Sequence, residues 1–342
     1  MEKTLFAPQL LPGDTIGIFS PSCPATSWIP ERTELAIAFL ESRGYPVLPG
    51  TLHGKSAGYR SGTIQERAEE LNALIRNPQV RCIMASAGGY VSNAILPYID
   101  YEALKKDPKV FVGFSDVTAV LLAVYAKTGL IPFLGPALIP TFGEKLPYSQ
   151  TSFDSLQKIA SGDMNFPYTY PMPNLWTEDS VGLEEEEECT AAPNEWICVR
   201  EGRVKGRLIG GNLDTLYGIW GSEYMPEIKA GDILYLEENR GNPEKLERAL
   251  AHLMLCGVFD RIGGLILGKS ADWRHGGTGM NCWQAAMEIL QPYDFPILAE
   301  FDCAHTRPIL TLPLGCQYEL DAGEKRLSLL EKPVCEERGI IK

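Results

Sequence analysis

Val110-Phe111-Val112-Gly113-Phe114-Ser115-Asp116-Val117-Thr118 reads as a short buried strand that breaks sharply and passes within a few residues into a helix. The helix, Val117 to Lys127, is apolar and ends before Thr128-Gly129. The same alternation precedes it. Thr15 to Phe19 predicts a first buried strand. Glu31 to Arg43 predicts a helix, with Leu35, Ala36, Ala38, Phe39 and Leu40 at helical spacing and Gly44 as its stop. Tyr45 to Leu48 is the second strand, Thr63 to Arg76 a charged amphipathic helix, and Val80 to Ala85 the third strand. Strands and helices that alternate in this way specify a mostly parallel α/β sheet.

Beyond Gly143 the pattern changes. From Glu144 to Arg203 there are prolines at 147, 167, 171, 173 and 193, an acidic run from Glu184 to Glu188, and no sustained period. Residues 146–204 are therefore expected to be an irregular interdomain segment, with the acidic run a solvated turn. It separates an N-terminal domain, 1–145, from a second, smaller α+β domain, 205–342. In that domain strands are predicted at Lys205–Ile209, Ile233–Leu236, Leu265–Leu267, Ile297–Glu300, Gln317–Asp321 and Arg326–Leu330, and a helix at Pro243–Cys256.

Composition excludes several classes of function. The 342 residues carry 31 Lys plus Arg against 44 Asp plus Glu, and a net charge of −13 repels both a phosphate backbone and an anionic membrane. The longest apolar stretch, Val117 to Pro140, is broken by Lys127, Gly129, Pro132 and Pro136, so no membrane span is expected. Nine scattered cysteines without a CxxC pair fit reduced thiols, and the N-terminus reaches Pro8 before any signal-like core forms. A cytoplasmic location follows. The four histidines show no ligand spacing, and neither a P-loop nor a dinucleotide fingerprint occurs, so no metal or cofactor is expected.

Ser115 leaves its strand where a nucleophile elbow would expose a hydroxyl, and the next amide, that of Asp116, points into the same crevice. The pattern is G-x-S-x-V, however, and a plain helix cap would use the same residues. A serine nucleophile needs an imidazole and an acid to orient it. His252 lies in a mostly apolar helix, His53 and His275 in loops of unknown placement. His305 follows a strand end, where open α/β sheets carry their sites. The strand Asp232-Ile233-Leu234-Tyr235-Leu236 runs into two carboxylates, Glu237 and Glu238. Glu237 continues the face of Ile233 and Tyr235, Glu238 the other; which face is inward stays open, as does a surface pair capping the next helix.

Taken together, Pro12-Gly13-Asp14-Thr15-Ile16-Gly17, Ala87-Gly88-Gly89-Tyr90, Leu96-Pro97-Tyr98-Ile99-Asp100, Gly113-Phe114-Ser115-Asp116-Val117-Thr118, Gly210-Gly211-Asn212-Leu213, Leu236-Glu237-Glu238 and the His305 loop resemble the serine peptidases comprising muramoyl-tetrapeptide LD-carboxypeptidases and microcin C self-immunity peptidases. The resemblance implies a flavodoxin-like or glutamine-amidotransferase-like N-terminal domain, a swivelling β/β/α C-terminal domain, and a homodimer. It implies Ser115 as nucleophile, Glu237 as orienting acid and His305 as base, joined across the domain interface, with Gly89 and Asp116 as oxyanion donors. Tyr59-Arg60-Ser61-Gly62, Ser92-Asn93 and Tyr125-Ala126-Lys127-Thr128-Gly129 look more like the microcin-immunity branch, which cleaves a bond joining a peptidyl aspartate to a nucleotide. Trp176 is then a candidate to stack on the base, and Asn212 a candidate polar contact. The expected substrate is a peptide or peptidyl-nucleotide. The alternatives are a muropeptide, as for the cell-wall branch, or a non-catalytic small-molecule binder.

Overall fold

In the computed structural model, which describes residues 4–144, 146–179 and 190–336, the strands Thr15–Phe19, Val47–Pro49, Val80–Ala85, Val110–Gly113 and Phe133–Leu134 run parallel. Their order across the sheet is second, first, third, fourth, fifth, the flavodoxin-like winding, which gathers strand carboxyl ends into a crevice. Val110–Gly113 and five of the six residues of Val80–Ala85 are buried, as expected of strands covered on both faces. The helix Thr118–Thr128 behind Ser115 is buried from Thr118 to Val124, and Gly129 closes it at φ 71°. Thr63 and Glu66 form a reciprocal capping box on the helix Ile64–Arg76, which fixes where that helix starts.

A second sheet takes its strands in the order Ile197–Arg200, Ile297–Phe301, Gly264–Gly268, Ile233–Glu237, Arg203–Asn212, Gln317–Asp321, Arg326–Leu329 and Tyr168–Thr169. The four from Ile297–Phe301 to Arg203–Asn212 are parallel, and the flanking pairs antiparallel. The carboxyl ends of Ile233–Glu237 and Ile297–Phe301 therefore lie on one side of this sheet. The chain also crosses back: Leu312–Pro313 pairs antiparallel with Phe133–Leu134 and becomes the edge of the first sheet. One continuous apolar cluster spans both sheets.

The segment 146–204 is not irregular throughout. It holds the 14-residue helix Tyr148–Ser161, and two of its short strands, Tyr168–Thr169 and Ile197–Arg200, join the second sheet. The helix escapes a periodicity reading because much of its inner face is serine. Ser152 and Ser155 are buried beside Phe153, Leu156 and Ile159, and their hydroxyls accept the amides of Ile309 and Thr311, each at 2.9 Å. Cys282–Leu290 is a further helix absent from the expectation, started by an Asn281/Gln284 capping box. The acidic run Glu184 to Glu188 lies outside the described residues.

Candidate active site

Ser115 sits where Val110–Gly113 gives way to a single 3₁₀ turn, with φ at +63°, in the left-handed region that a serine rarely adopts. Such strain persists only where the surroundings enforce it, and it aims the hydroxyl into the crevice. Ser115 Oγ lies 2.8 Å from Nε2 of His305, and Nδ1 of the same ring lies 2.9 Å from Oε2 of Glu237. The three come from different strand ends, one in the first sheet and two in the second.

Glu237 is 4% exposed, and its burial is tolerable because both oxygens have partners. Oε2 faces His305, and Oε1 accepts from Nδ2 of Asn212 at 2.7 Å. Asn212 is fixed in turn: its Oδ1 accepts the amide of Thr215 at 3.0 Å, capping the helix Leu213–Tyr217, and its own amide donates to Oγ1 of Thr118. Asn212 thus lines the cleft, but its side chain serves Glu237 and the helix cap. The His305 loop is held from several sides. Asp302, fully buried, accepts from Lys269, Asn194 and Trp196, and the Arg307 and Thr177 backbones bond reciprocally. The Phe114 ring meets the imidazole edge-on at 5.0 Å.

Of the other histidines, His252 packs against Tyr217 and Trp220, His53 lies 3.6 Å from Glu34, and His275 accepts amides from its own loop.

Gly88 and Gly89 lie beside Ser115 and Ser22. A Cβ at Gly88 would come within 2.9 Å of Ser115 Oγ, and one at Gly89, whose φ is +147°, within 2.2 Å of Ser22 Oγ. Both positions therefore exclude a side chain. Gly89, Tyr90, Asn93, Asp116 and Asp214 line the same cleft as Ser115 and His305. Asp116 is 5% exposed; burial raises its carboxyl above the usual range, opposed by hydrogen bonds from Ser22 and Ser92. Ser22 has no counterpart among the residues singled out from the sequence, since Ser20-Pro21-Ser22 reads only as a loop. Trp176 lies on a two-stranded ribbon with Ala192–Pro193, half-buried, with the Lys269 ammonium 5.5 Å from its ring centroid, and is not among the cleft-lining residues.

Glu238 answers the question of face left open by the sequence. Glu237, not Glu238, faces His305; Glu238 is 2% exposed, and neither of its carboxyl oxygens has a hydrogen-bond partner among the described residues. Burial, then the charges of Asp214 and Glu237, push its carboxyl up to about 8. Between the ordinary carboxylate range and that value the unfolded chain ionises Glu238 while the folded chain keeps it protonated, so stability falls as pH rises through this window. Glu238→Gln is expected to melt a few degrees above the wild type at pH 8 and level with it at pH 4.5. Equal melting temperatures at both pH values in a thermal scan would contradict the buried neutral acid.

Residues 16–135 match the LD-carboxypeptidase N-terminal domain and residues 205–320 the LD-carboxypeptidase C-terminal domain. A Vibrio cholerae protein provisionally named a carboxypeptidase is 49% identical over 329 residues, 96% of this chain and 98% of that protein. The microcin C7 self-immunity protein MccF of Escherichia coli is 43% identical over 337 residues, 98% of each chain. A solved structure of MccF in complex with aspartyl sulfamoyl adenosine superposes with a TM-score of 0.94, covering 97% of this chain and 100% of that one.

Proposed function

The chain belongs to the LD-carboxypeptidase family of serine peptidases, and on that premise we propose that it cleaves an amide on the C-terminal side of a peptide or peptidyl-nucleotide of the microcin C kind. The observation that carries the reading is the run from Ser115 Oγ through the His305 ring to Glu237, at 2.8 and 2.9 Å. Ser115 attacks the carbonyl while His305 takes its proton at Nε2. Glu237 holds the Nδ1–H and stabilises the imidazolium that forms. The amides of Gly89 and Asp116 receive the oxyanion, as donors placed for developing charge. Collapse of the tetrahedral intermediate expels the amine, which takes the proton back from His305. Water, deprotonated by the same imidazole, then releases the acid from Ser115.

Two observations favour a nucleoside-bearing leaving group. Likeness to MccF, solved with aspartyl sulfamoyl adenosine, supports an aminoacyl-nucleotide in the cleft. The described residues lining that cleft include Asp214 and neither lysine nor arginine, and Arg240 turns towards Asp272 at 3.3 Å. A nucleoside that carries no free anion, held by stacking and hydrogen bonds, suits such a wall better than a group held through a carboxylate or a phosphate. Trp176, on the ribbon bridged to the His305 loop at Arg307, is the ring proposed to stack on the base. We further infer a cytoplasmic setting, which the free thiols of the described cysteines support, and the homodimer implied by the family resemblance. No described helix is long and apolar enough to cross a membrane.

The deciding experiment incubates the protein with an aspartyl-adenosine conjugate and with a muramoyl tetrapeptide, reading products by mass spectrometry. Release of aspartate from the conjugate is expected. Release of the terminal D-residue from the tetrapeptide alone would move the protein to the cell-wall branch. Cleavage of neither, with Ser115 inert to a fluorophosphonate, would make it a binder.

A further inference from the structure

We propose that Ser22, acting through the Asp116 carboxylate, is the positioning residue that keeps the Gly89 and Asp116 amides in register with Ser115. The proposal rests on the reading of those two amides as oxyanion donors. Ser22 lies in the loop after Thr15–Phe19 and is 1% exposed. Its Oγ accepts two hydrogen bonds, from the amides of Tyr90 and Val91, each at 3.0 Å. A hydroxyl offers two lone pairs and one proton, so with both lone pairs engaged the proton is left for the Asp116 carboxyl, on which Ser22 acts against the effect of burial. That carboxylate also accepts the amide of Ser92 at 3.0 Å, and Ser92 Oγ donates to the Asp116 carbonyl at 2.5 Å. Residues 90–92 are thereby tied to Asp116 directly and through Ser22.

The glycine pair lies inside this clamp. Ser22 Oγ closes on Gly89 from one side and Ser115 Oγ on Gly88 from the other, while the Asp116 amide lies 3.3 Å from the space a Gly88 Cβ would fill. The clamp is itself anchored. Buried Arg67, on Ile64–Arg76, donates to the carbonyls of Pro21 at 2.5 Å and Val91 at 3.0 Å, and Glu70 on the same helix accepts the Ser20 amide at 2.6 Å. Without the Ser22 hydroxyl, two buried amides lose their acceptor and Gly89 loses the atom it rests on. Its N–H then drifts from the position where charge develops, a loss felt in the transition state more than in the ground state.

The test follows phosphonylation of Ser115 by a fluorophosphonate, which passes through an anionic intermediate needing the same donors, alongside steady-state hydrolysis of whichever substrate the protein cleaves. Ser22→Ala is expected to slow labelling and kcat by about 10- to 100-fold, part of what outright loss of an oxyanion donor brings, with KM within about twofold. Asp116→Asn keeps an acceptor for Ser92 but surrenders the charge, and is expected to slow both less. Added to Ser22→Ala, it should cost little more, because both act on one clamp. A purely structural role would lower the melting temperature and leave labelling by the folded fraction unchanged, which would overturn the proposal. Should Ser22→Ala not fold, Asp116→Asn labelling at the wild-type rate would overturn it equally. Wild-type protein that fails to label at Ser115 would remove the oxyanion reading and the clamp together, whereas rapid labelling of both wild type and Ser22→Ala removes the clamp alone.

Discussion

Ser115→Ala is expected to lower kcat by about 10⁴- to 10⁶-fold while the protein folds as before. Only the hydroxyl is removed, and among the described residues its side-chain hydrogen bond is with His305 Nε2, so no core packing is disturbed. What survives is binding and the two amide donors, which sustain a residual rate above that in water. The backbone supplies an independent control. At φ +63° an alanine is strained as serine is, and glycine is not, so Ser115→Gly should be as inactive yet about 1 kcal/mol more stable than Ser115→Ala. Mass spectrometry of the acyl-enzyme and thermal melts read the two effects separately. Turnover near the wild-type level in either variant would end the case for a serine nucleophile here.

Glu237→Gln should be almost as damaging, about 10⁴-fold in kcat, although it changes no volume. The reason is directional. Asn212 cannot turn its amide around, because its Oδ1 is held by the Thr215 amide, so it presents Nδ2 to residue 237. A glutamine there must give its oxygen to Asn212 and its NH₂ to His305. The imidazole then carries its proton on Nε2, facing a serine hydroxyl it can no longer deprotonate. Nδ1 chemical shifts of His305 would report the switched tautomer. Normal turnover by Glu237→Gln would show that the acid neither orients nor stabilises the ring.

The two sheets were legible where strands are buried on both faces and read as unbroken apolar runs, as Val110–Gly113 and Ile233–Leu236 do. The three residues that converge in the candidate site were legible for a related reason. In parallel sheets polar residues are expelled to strand ends, so Ser115, Glu237 and His305 stand out against Val110–Gly113, Ile233–Leu236 and Ile297–Phe301. Helix Tyr148–Ser161 was not, because its buried serines are satisfied by the amides of Ile309 and Thr311, partners some 150 residues away in the chain. Ser22 escaped for the same reason: its worth depends on Tyr90, Val91 and Asp116, which only the fold brings to it. Asn212 was noticed, but its amide is turned to Glu237 by a cap on its own helix, a detail of direction that residue type does not carry.

The return of Leu312–Pro313 to the first sheet has an evolutionary and practical corollary. Ser115 and His305 belong to lobes whose strands are interleaved, so neither lobe is a portable cassette. Expression of the first 135 residues alone would bare the Phe133–Leu134 edge and invite intermolecular pairing. Shuffling between relatives should therefore keep the segment from His305 to Pro313 together with the lobe whose border it seals, and chimeras joined between the lobes should fail in solubility before they fail in catalysis.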